Sequence, residues 1–282
     1  MDLGFYKKYY DIMLKDDYNK ADEFKDMQIP ERLYKYFPCE ESRINAFIHE
    51  ELWLAQYDTF NDEHEFSFMQ ISRNNFDNAK LISPKWKIPN NFVANEIFDI
   101  NYDQAIEFFE QAKRTISISC FTTDPKNSYF WKEYSNHDNG FCIEYQVKSK
   151  KLFYPVIYTN EKKDIDELLY NTIVELRYSM MREAQFYKEK GQHYNIISDE
   201  AMHYLSILYF NYCCKTEKWS NENEFRIIFA NPIVQTKSGQ LVKYSNLGIK
   251  PTKIYLGKEC NGEFVKQLES ISENKNYDIV KL

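Results

Sequence analysis

Phe141-Cys142-Ile143-Glu144-Tyr145-Gln146-Val147, then Lys148-Ser149-Lys150-Lys151, then Leu152-Phe153-Tyr154-Pro155-Val156-Ile157-Tyr158-Thr159 reads as strand, basic turn, strand. Both apolar runs are short, rich in aromatic and β-branched residues, and separated by charge. The block that follows has a different period. Over 164–190, Ile165, Leu168, Leu169, Ile173 and Leu176 recur at three- and four-residue steps, and Gly191 closes the run. A long helix is predicted there. A second is predicted from Ser198, a residue type suited to an N-cap, through Leu205, Leu208 and Tyr212. Strand patterns resume at 224–230, 240–244 and 253–256. A helix near 264–272 then precedes a last strand at 277–280.

Upstream of the opening stretch, strands are predicted at 33–36, 52–55 and 115–121. Helices are predicted at 42–50, from Ile44, Phe47 and Ile48, and at 102–113, from Ala105, Phe108, Phe109 and Ala112. Residues 124–139 hold a short aromatic helix that Gly140 breaks. The first thirty residues place Phe5, Tyr9 and Ile12 at helical spacing and end at Pro30. Residues 70–100 read as an irregular insertion with short helical pieces, and 58–65 as a polar loop. No repeat and no Gly/Ser/Pro linker interrupts the chain. The predicted architecture is α+β: an N-terminal helical arm at 1–31 and one compact domain at 32–282. That domain has a split, mostly antiparallel sheet core and a helical insertion at 161–218.

Composition narrows the class. The chain has 282 residues, 43% apolar and 17% aromatic, so it has enough apolar surface to build its own core. Gly 7 and Pro 8 exclude collagen-like and low-complexity classes. Lys+Arg 36 against Asp+Glu 43 gives a net charge of -7, which argues against global attraction to nucleic acid or anionic membrane. The N-terminal stretch is charged throughout and resembles no signal peptide, and no apolar run approaches bilayer length. Six cysteines (39, 120, 142, 213, 214, 260) form no CxxC pair, and the five histidines lack ligand spacing against them. Reduced thiols in a cytoplasmic protein, with no metal, are expected.

Phosphate-loop, GxGxxG, GxSxG and HExxH signatures are missing. The chemistry-bearing segments are polar and aromatic instead. In Trp219-Ser220-Asn221-Glu222-Asn223-Glu224-Phe225-Arg226-Ile227-Ile228, strand alternation puts Glu222, Glu224 and Arg226 on one face and Phe225 and Ile227 on the other. Two carboxylates beside an arginine can polarise a hydroxyl and move a proton, or form a solvated surface ion pair. In Thr115-Ile116-Ser117-Ile118-Ser119-Cys120-Phe121, Ser117 and Ser119 share a face, as in a cleft-lining or an ordinary half-buried strand. In Phe130-Trp131-Lys132-Glu133-Tyr134, Trp131 and Tyr134 fall on one helical face, for stacking or for core packing. His137 is a lone loop histidine. In Arg32-Leu33-Tyr34-Lys35-Tyr36, a cation stands between two rings and suits an anionic ligand. Asn61, Asp62 and Glu65 form a polar turn able to cap a helix or brace a site.

These segments, in this order, resemble the DUF2971 family, a bacterial group of uncharacterised proteins, across most of residues 32–257, with the helical middle and both termini outside the resemblance. A second resemblance carries an activity. A cation on an early strand, Ser-x-Ser on a central strand and Glu-x-Glu at a late strand are similar to the arginine–serine–glutamate class of ADP-ribosyltransferases. That resemblance implies NAD as substrate and an unknown protein or nucleic-acid acceptor, in a toxin or phage-defence setting. It implies that Glu224 holds the nicotinamide ribose, Glu222 serves the acceptor, and Ser117 or Ser119 supports the site. Lys35 or Arg32 would stand for the first-strand arginine; Arg226, by its own chemistry beside the carboxylates, can hold one of them ionised or bind a phosphate. Tyr34, Tyr36 or Trp131 would stack on nicotinamide, with Tyr134 beside them. Two other classes compete: a non-catalytic binding or sensor module, and a nuclease-like effector holding a divalent metal through Glu222, Glu224 and Asp62.

Overall fold

The structure, a computed structural model, describes residues 1–13, 15, 17–60, 66, 68–82, 99–191, 199–230 and 238–282. Its strands are β1 (Arg32–Pro38), β2 (Glu51–Gln56), β3 (Met69–Gln70), β4 (Ile116–Phe121), β5 (Gly140–Val147), β6 (Phe153–Pro155), β7 (Ile157–Tyr158), β8 (Lys163–Asp164), β9 (Cys214–Lys215), β10 (Phe225–Ala230), β11 (Gly239–Lys243), β12 (Ile249–Leu256) and β13 (Asp278–Lys281). Its helices are α1 (Leu3–Met13), α2 (Tyr18–Asp26), α3 (Glu41–Ile48), α4 (Arg73–Ile82), α5 (Tyr102–Arg114), α6 (Ser128–Glu133), α7 (Asp166–Lys190), α8 (Asp199–Asn211), α9 (Tyr244–Leu247) and α10 (Gly262–Lys275). The class is α+β, as predicted.

The strands form a four-stranded sheet of order β1-β5-β12-β13 and a five-stranded sheet of order β11-β2-β4-β10-β6. All neighbours within them run antiparallel except β12 and β13. Alternation of side chains builds two cores from one set of strands. Phe121 of β4 and Phe225 and Ile227 of β10 meet Leu33, Ile143 and Ile254 of the other sheet, with α3 and α10 adding Phe47 and Leu268. Ile116, Ile118 and Ile228 point the opposite way, into a core shared with the helices. There α1 supplies Phe5, Tyr6, Tyr9 and Met13, and α7 supplies Leu168, Leu169, Ile173 and Val174. Each such side chain fully buried contributes about 1.5–3 kcal/mol.

Local signals start and stop these elements. Asn101 caps α5, accepting from the Gln104 N–H at 2.9 Å while Gln104 reaches back to the Asn101 N–H. Gly191 ends α7 at φ 66, a conformation without penalty for glycine. Among the described residues no helix is long and apolar enough to cross a membrane.

Three predicted boundaries shift. The strand expected over 152–159 is two short strands. Pro155 has no N–H for the ladder, so β6 ends there, and β7 leaves to pair in parallel with β9. The basic turn 148–151 does not join paired strands but passes the chain from one sheet to the other. Buried Lys25 holds it, donating to the carbonyls of Lys150, Lys151 and Phe153 at 3.1, 3.3 and 3.3 Å. The strand expected from Glu224 begins at Phe225, because Glu222 closes a 3-10 helix over Glu217–Glu222. Ser198 and the polar turn of Asn61, Asp62 and Glu65 lie outside the described residues.

The sheets meet at one corner. Tyr34 of β1 and Thr122, just past β4, exchange N–H···O bonds of 2.9 Å in both directions. A cavity opens beside that corner, with Tyr34 and Thr122 in its lining.

Candidate functional site

A cavity of about 550 Å³ lies at this corner, within the range of small-molecule sites. β1 contributes Tyr34, Lys35 and Tyr36, and the end of β4 contributes Cys120, Phe121 and Thr122. α6 and its cap bring Tyr129, Phe130 and Tyr134. β9 and the 3-10 helix bring Lys215, Lys218, Trp219 and Glu222, and Glu224 completes the wall. The surface is thus aromatic with a few charged groups, which suits a flat ring joined to polar substituents.

The acidic doublet is buried, Glu222 at 3% and Glu224 at 4% exposure. Asn223 between them adopts the left-handed region at φ 45, which asparagine tolerates. This turn is tied at both sides. Thr122 Oγ1 donates to the Glu222 carbonyl at 2.8 Å, and the Glu224 N–H donates to Tyr158 Oη at 2.8 Å. Lys215 Nζ sits between the two carboxylates, 2.7 Å from Glu222 Oε2 and 2.9 Å from Glu224 Oε2. Arg226, fully buried, donates to Glu224 from Nε at 2.7 Å and from Nη2 at 3.3 Å, and from Nη1 to the Tyr212 carbonyl at 2.6 Å. Its guanidinium lies 5.6 Å from the Phe60 ring and 5.5 Å from the Phe66 ring.

Two cations therefore serve one carboxylate and a single ammonium serves the other. Burial works to push Glu224 up, but Arg226 and then Lys215 overcome it and hold its carboxyl at about 2. For Glu222 burial prevails over Lys215, and the neighbouring Glu224 charge adds to it, so the carboxyl is raised. Glu222 Oε1 has no hydrogen-bond partner among the described residues. A pair of acids driven apart in this way separates the roles of fixed anion and proton carrier. Lys35 Nζ donates to the Cys120 carbonyl at 3.0 Å and has no carboxylate within salt-bridge distance among the described residues. Burial pushes its pKa down.

The structure brings together Lys35, Tyr34, Tyr36, Tyr134, Glu222 and Glu224. Arg226 stands behind Glu224 rather than on the cavity wall, and its burial rules out the solvated ion pair. Lys35 does not stack between Tyr34 and Tyr36. Strand alternation turns it to the opposite face, over the Phe37 and Phe121 rings at 5.8 and 5.6 Å. Ser117 and Ser119 do not line the cavity. They share the Phe121 face of β4, where Ser117 Oγ accepts from Gln240 Nε2 at 2.9 Å. Cys120 holds the cavity side in their place, its thiol pushed up by burial and by the Glu224 charge. Trp131 and Tyr134 part in environment, Trp131 being buried while Tyr134, the cap of α6, is exposed and lines the cavity. Trp131 packs edge-on to Tyr36 at 5.0 Å and donates to the Pro125 carbonyl at 3.0 Å, away from the cavity. Arg32 is committed to Glu144 on β5, which Tyr34 Oη also bonds at 3.0 Å. His137 lies in the turn after α6 and does not line the cavity.

Sequence reasoning missed Lys215, Lys218 and Tyr129 and gave Trp219 no role. No spacing rule links Lys215 to the doublet. It arrives through the β7–β9 pairing, which sets Lys215 opposite Tyr158. Among the described residues no group of three or more His, Cys, Asp or Glu side chains could hold a metal. Asp62 lies outside them.

No curated protein and no solved structure matches the chain. Residues 130–227 match the family model described as "Protein of unknown function (DUF2971)". The matched range runs through the helical middle, which the sequence reading had placed outside the resemblance. Over residues 130–227, which carry Tyr134, Lys215, Trp219, Glu222 and Glu224, the chain is similar to the DUF2971 family.

Proposed function

We propose that the protein is an NAD-consuming enzyme that breaks the bond between nicotinamide and ribose and passes the ADP-ribosyl group to water or to a macromolecular acceptor. The observation that carries this reading is the unequal carboxylate pair, Glu222 raised and Glu224 held ionised, on the wall of one aromatic cavity. Nicotinamide leaves with the bonding electron pair, and positive charge develops on the sugar. Glu224, fixed by Arg226 and Lys215, stabilises that charge without reorganising. Glu222, whose Oε1 is unpaired among the described residues, takes the proton from the attacking hydroxyl as its oxygen bonds to the anomeric carbon. Exposed Tyr134 and half-buried Trp219 offer ring surfaces for nicotinamide, and Lys35 suits a phosphate. These roles depart from the mapping by resemblance at the serine position, since Ser117 and Ser119 do not line the cavity, whereas Lys35, which stands for the first-strand arginine, does. An activity that drains NAD suits a cytoplasmic toxin or phage-defence effector.

One observation favours a second reading. Both Glu224 oxygens are already engaged by Arg226 and Lys215, as a purely structural strut would require, and the cavity would then be a ligand-binding module. Incubation with NAD and chromatography for free nicotinamide separates the two. Transfer or hydrolysis predicts release by the wild type and a loss of roughly 100-fold or more in Glu222→Gln, with an unchanged melting temperature. Calorimetric binding of NAD with no release favours the binding module. Neither binding nor release removes NAD from this site.

A further inference from the structure

Cys39 follows β1 and Cys260 follows β12, so two half-buried thiols meet at one end of the four-stranded sheet. Their Sγ atoms are 3.1 Å apart although 221 positions separate them in the chain. The backbone around them is fixed. The Cys39 N–H donates to the Asn139 carbonyl at 3.4 Å, the Cys260 N–H to the Gly257 carbonyl at 3.1 Å, and the Asn261 N–H to Asn139 Oδ1 at 3.3 Å. The neighbouring turn, which leads into Asn139, holds Asn136, His137 and Asp138 all at positive φ. It is packed so closely that a Cβ on Gly257 would lie 2.1 Å from the Asp138 carbonyl oxygen. Of the remaining thiols, Cys142, Cys213 and Cys214 are buried and Cys120 belongs to the cavity.

We propose that Cys39 and Cys260 are a redox-modification site, a dithiol that a low-molecular-weight disulfide of the glutathione type converts to an intramolecular disulfide and that thiols restore. Burial, and the Cys260 thiol beside it, push the Cys39 thiol up, so the opening attack falls to Cys260. The Cys260 thiolate attacks one sulfur of the external disulfide, forming a mixed disulfide and expelling one thiolate. The Cys39 thiolate then attacks the Cys260 sulfur, the second external thiolate leaves, and the Cys39–Cys260 bond forms. One external disulfide becomes two thiols, and the two protons lost by the protein pass to them. The bond closes a very long loop, so it stabilises the fold by restricting the unfolded chain. Nothing in this depends on NAD chemistry.

The test uses the reduced full chain and oxidised glutathione, followed by digestion without reductant and mass spectrometry. The expected result is one cross-linked peptide pair joining residues 39 and 260, lost on treatment with dithiothreitol. Its rate of formation rises with pH, and the oxidised form melts higher. Cys39→Ser stops at a glutathione adduct on Cys260, and Cys260→Ser forms no cross-link. Cross-links that join other cysteines, or residues 39 and 260 recovered as free thiols or as separate adducts, overturn the proposal. The wild-type map decides the matter even if a variant fails to fold.

Discussion

Replacing Glu224 by Gln removes a buried negative charge that Arg226 and Lys215 both hold. The folded carboxyl is lowered from 4.5 to about 2. A depressed carboxyl stabilises the folded state above its unfolded pKa, and that contribution disappears as pH falls through the folded value. At about 1.4 kcal/mol per unit, this shift corresponds to about 3 kcal/mol. The full contribution is present at neutral pH, declines below about pH 4.5 and is gone near about pH 2. Urea unfolding of wild type and Glu224→Gln, repeated across that window, gives the difference in stability at each pH. Carboxylates remote from the doublet titrate in both proteins and cancel in the difference, while Glu222 loses the upward push of the Glu224 charge in the variant. The expected difference narrows with a limiting slope of about 1.4 kcal/mol per pH unit, the signature of one proton. A residual offset at low pH reports the cost of leaving Arg226 and Lys215 without their partner. A difference that stays level from neutral pH to the acid limit would refute the buried network, and with it the claim that Glu224 is a fixed anion.

Lys215→Met takes away the ammonium between the two carboxylates. At neutral pH we expect a loss of about 3 kcal/mol, and part of it returns on acidification because Glu222, pushed further up, becomes neutral; denaturation at paired pH values measures both. Gly257→Ala places a methyl group 2.1 Å from the Asp138 carbonyl oxygen, a backbone atom that cannot swing aside. A destabilisation of about 2 kcal/mol or more is expected by thermal denaturation, and an unchanged melting temperature would show that the turn at 136–138 does not abut β12 so closely.

Much of the fold is legible along the chain because it is written in short-range period. The three- and four-residue recurrence from Ile165 onwards yields α7, with Gly191 ending it. The alternation in 141–147 and 115–121 yields β5 and β4 within a residue or so. The strand at 152–159 is misread because its apolar pattern continues across Pro155, whose missing donor ends the pairing. The burial of Arg226 is hidden from the sequence for a related reason. Charge at that position suggests solvent exposure, and only the packing of Phe60, Phe66 and the Tyr212 carbonyl around it makes the guanidinium a buried anchor.

The amino-acid sequence by itself determined the long helices and the central strands, the α+β class, and the presence of an acidic doublet beside an arginine. Tertiary structure alone decided that Lys35 and the doublet share a cavity, that Cys120 rather than Ser117 or Ser119 faces it, and that Lys215 bridges Glu222 and Glu224. Period and composition act between neighbours in the chain. Burial, and the balance of charges that drives the two carboxyls in opposite directions, depend on groups from distant segments that meet only when the two sheets join at Tyr34 and Thr122.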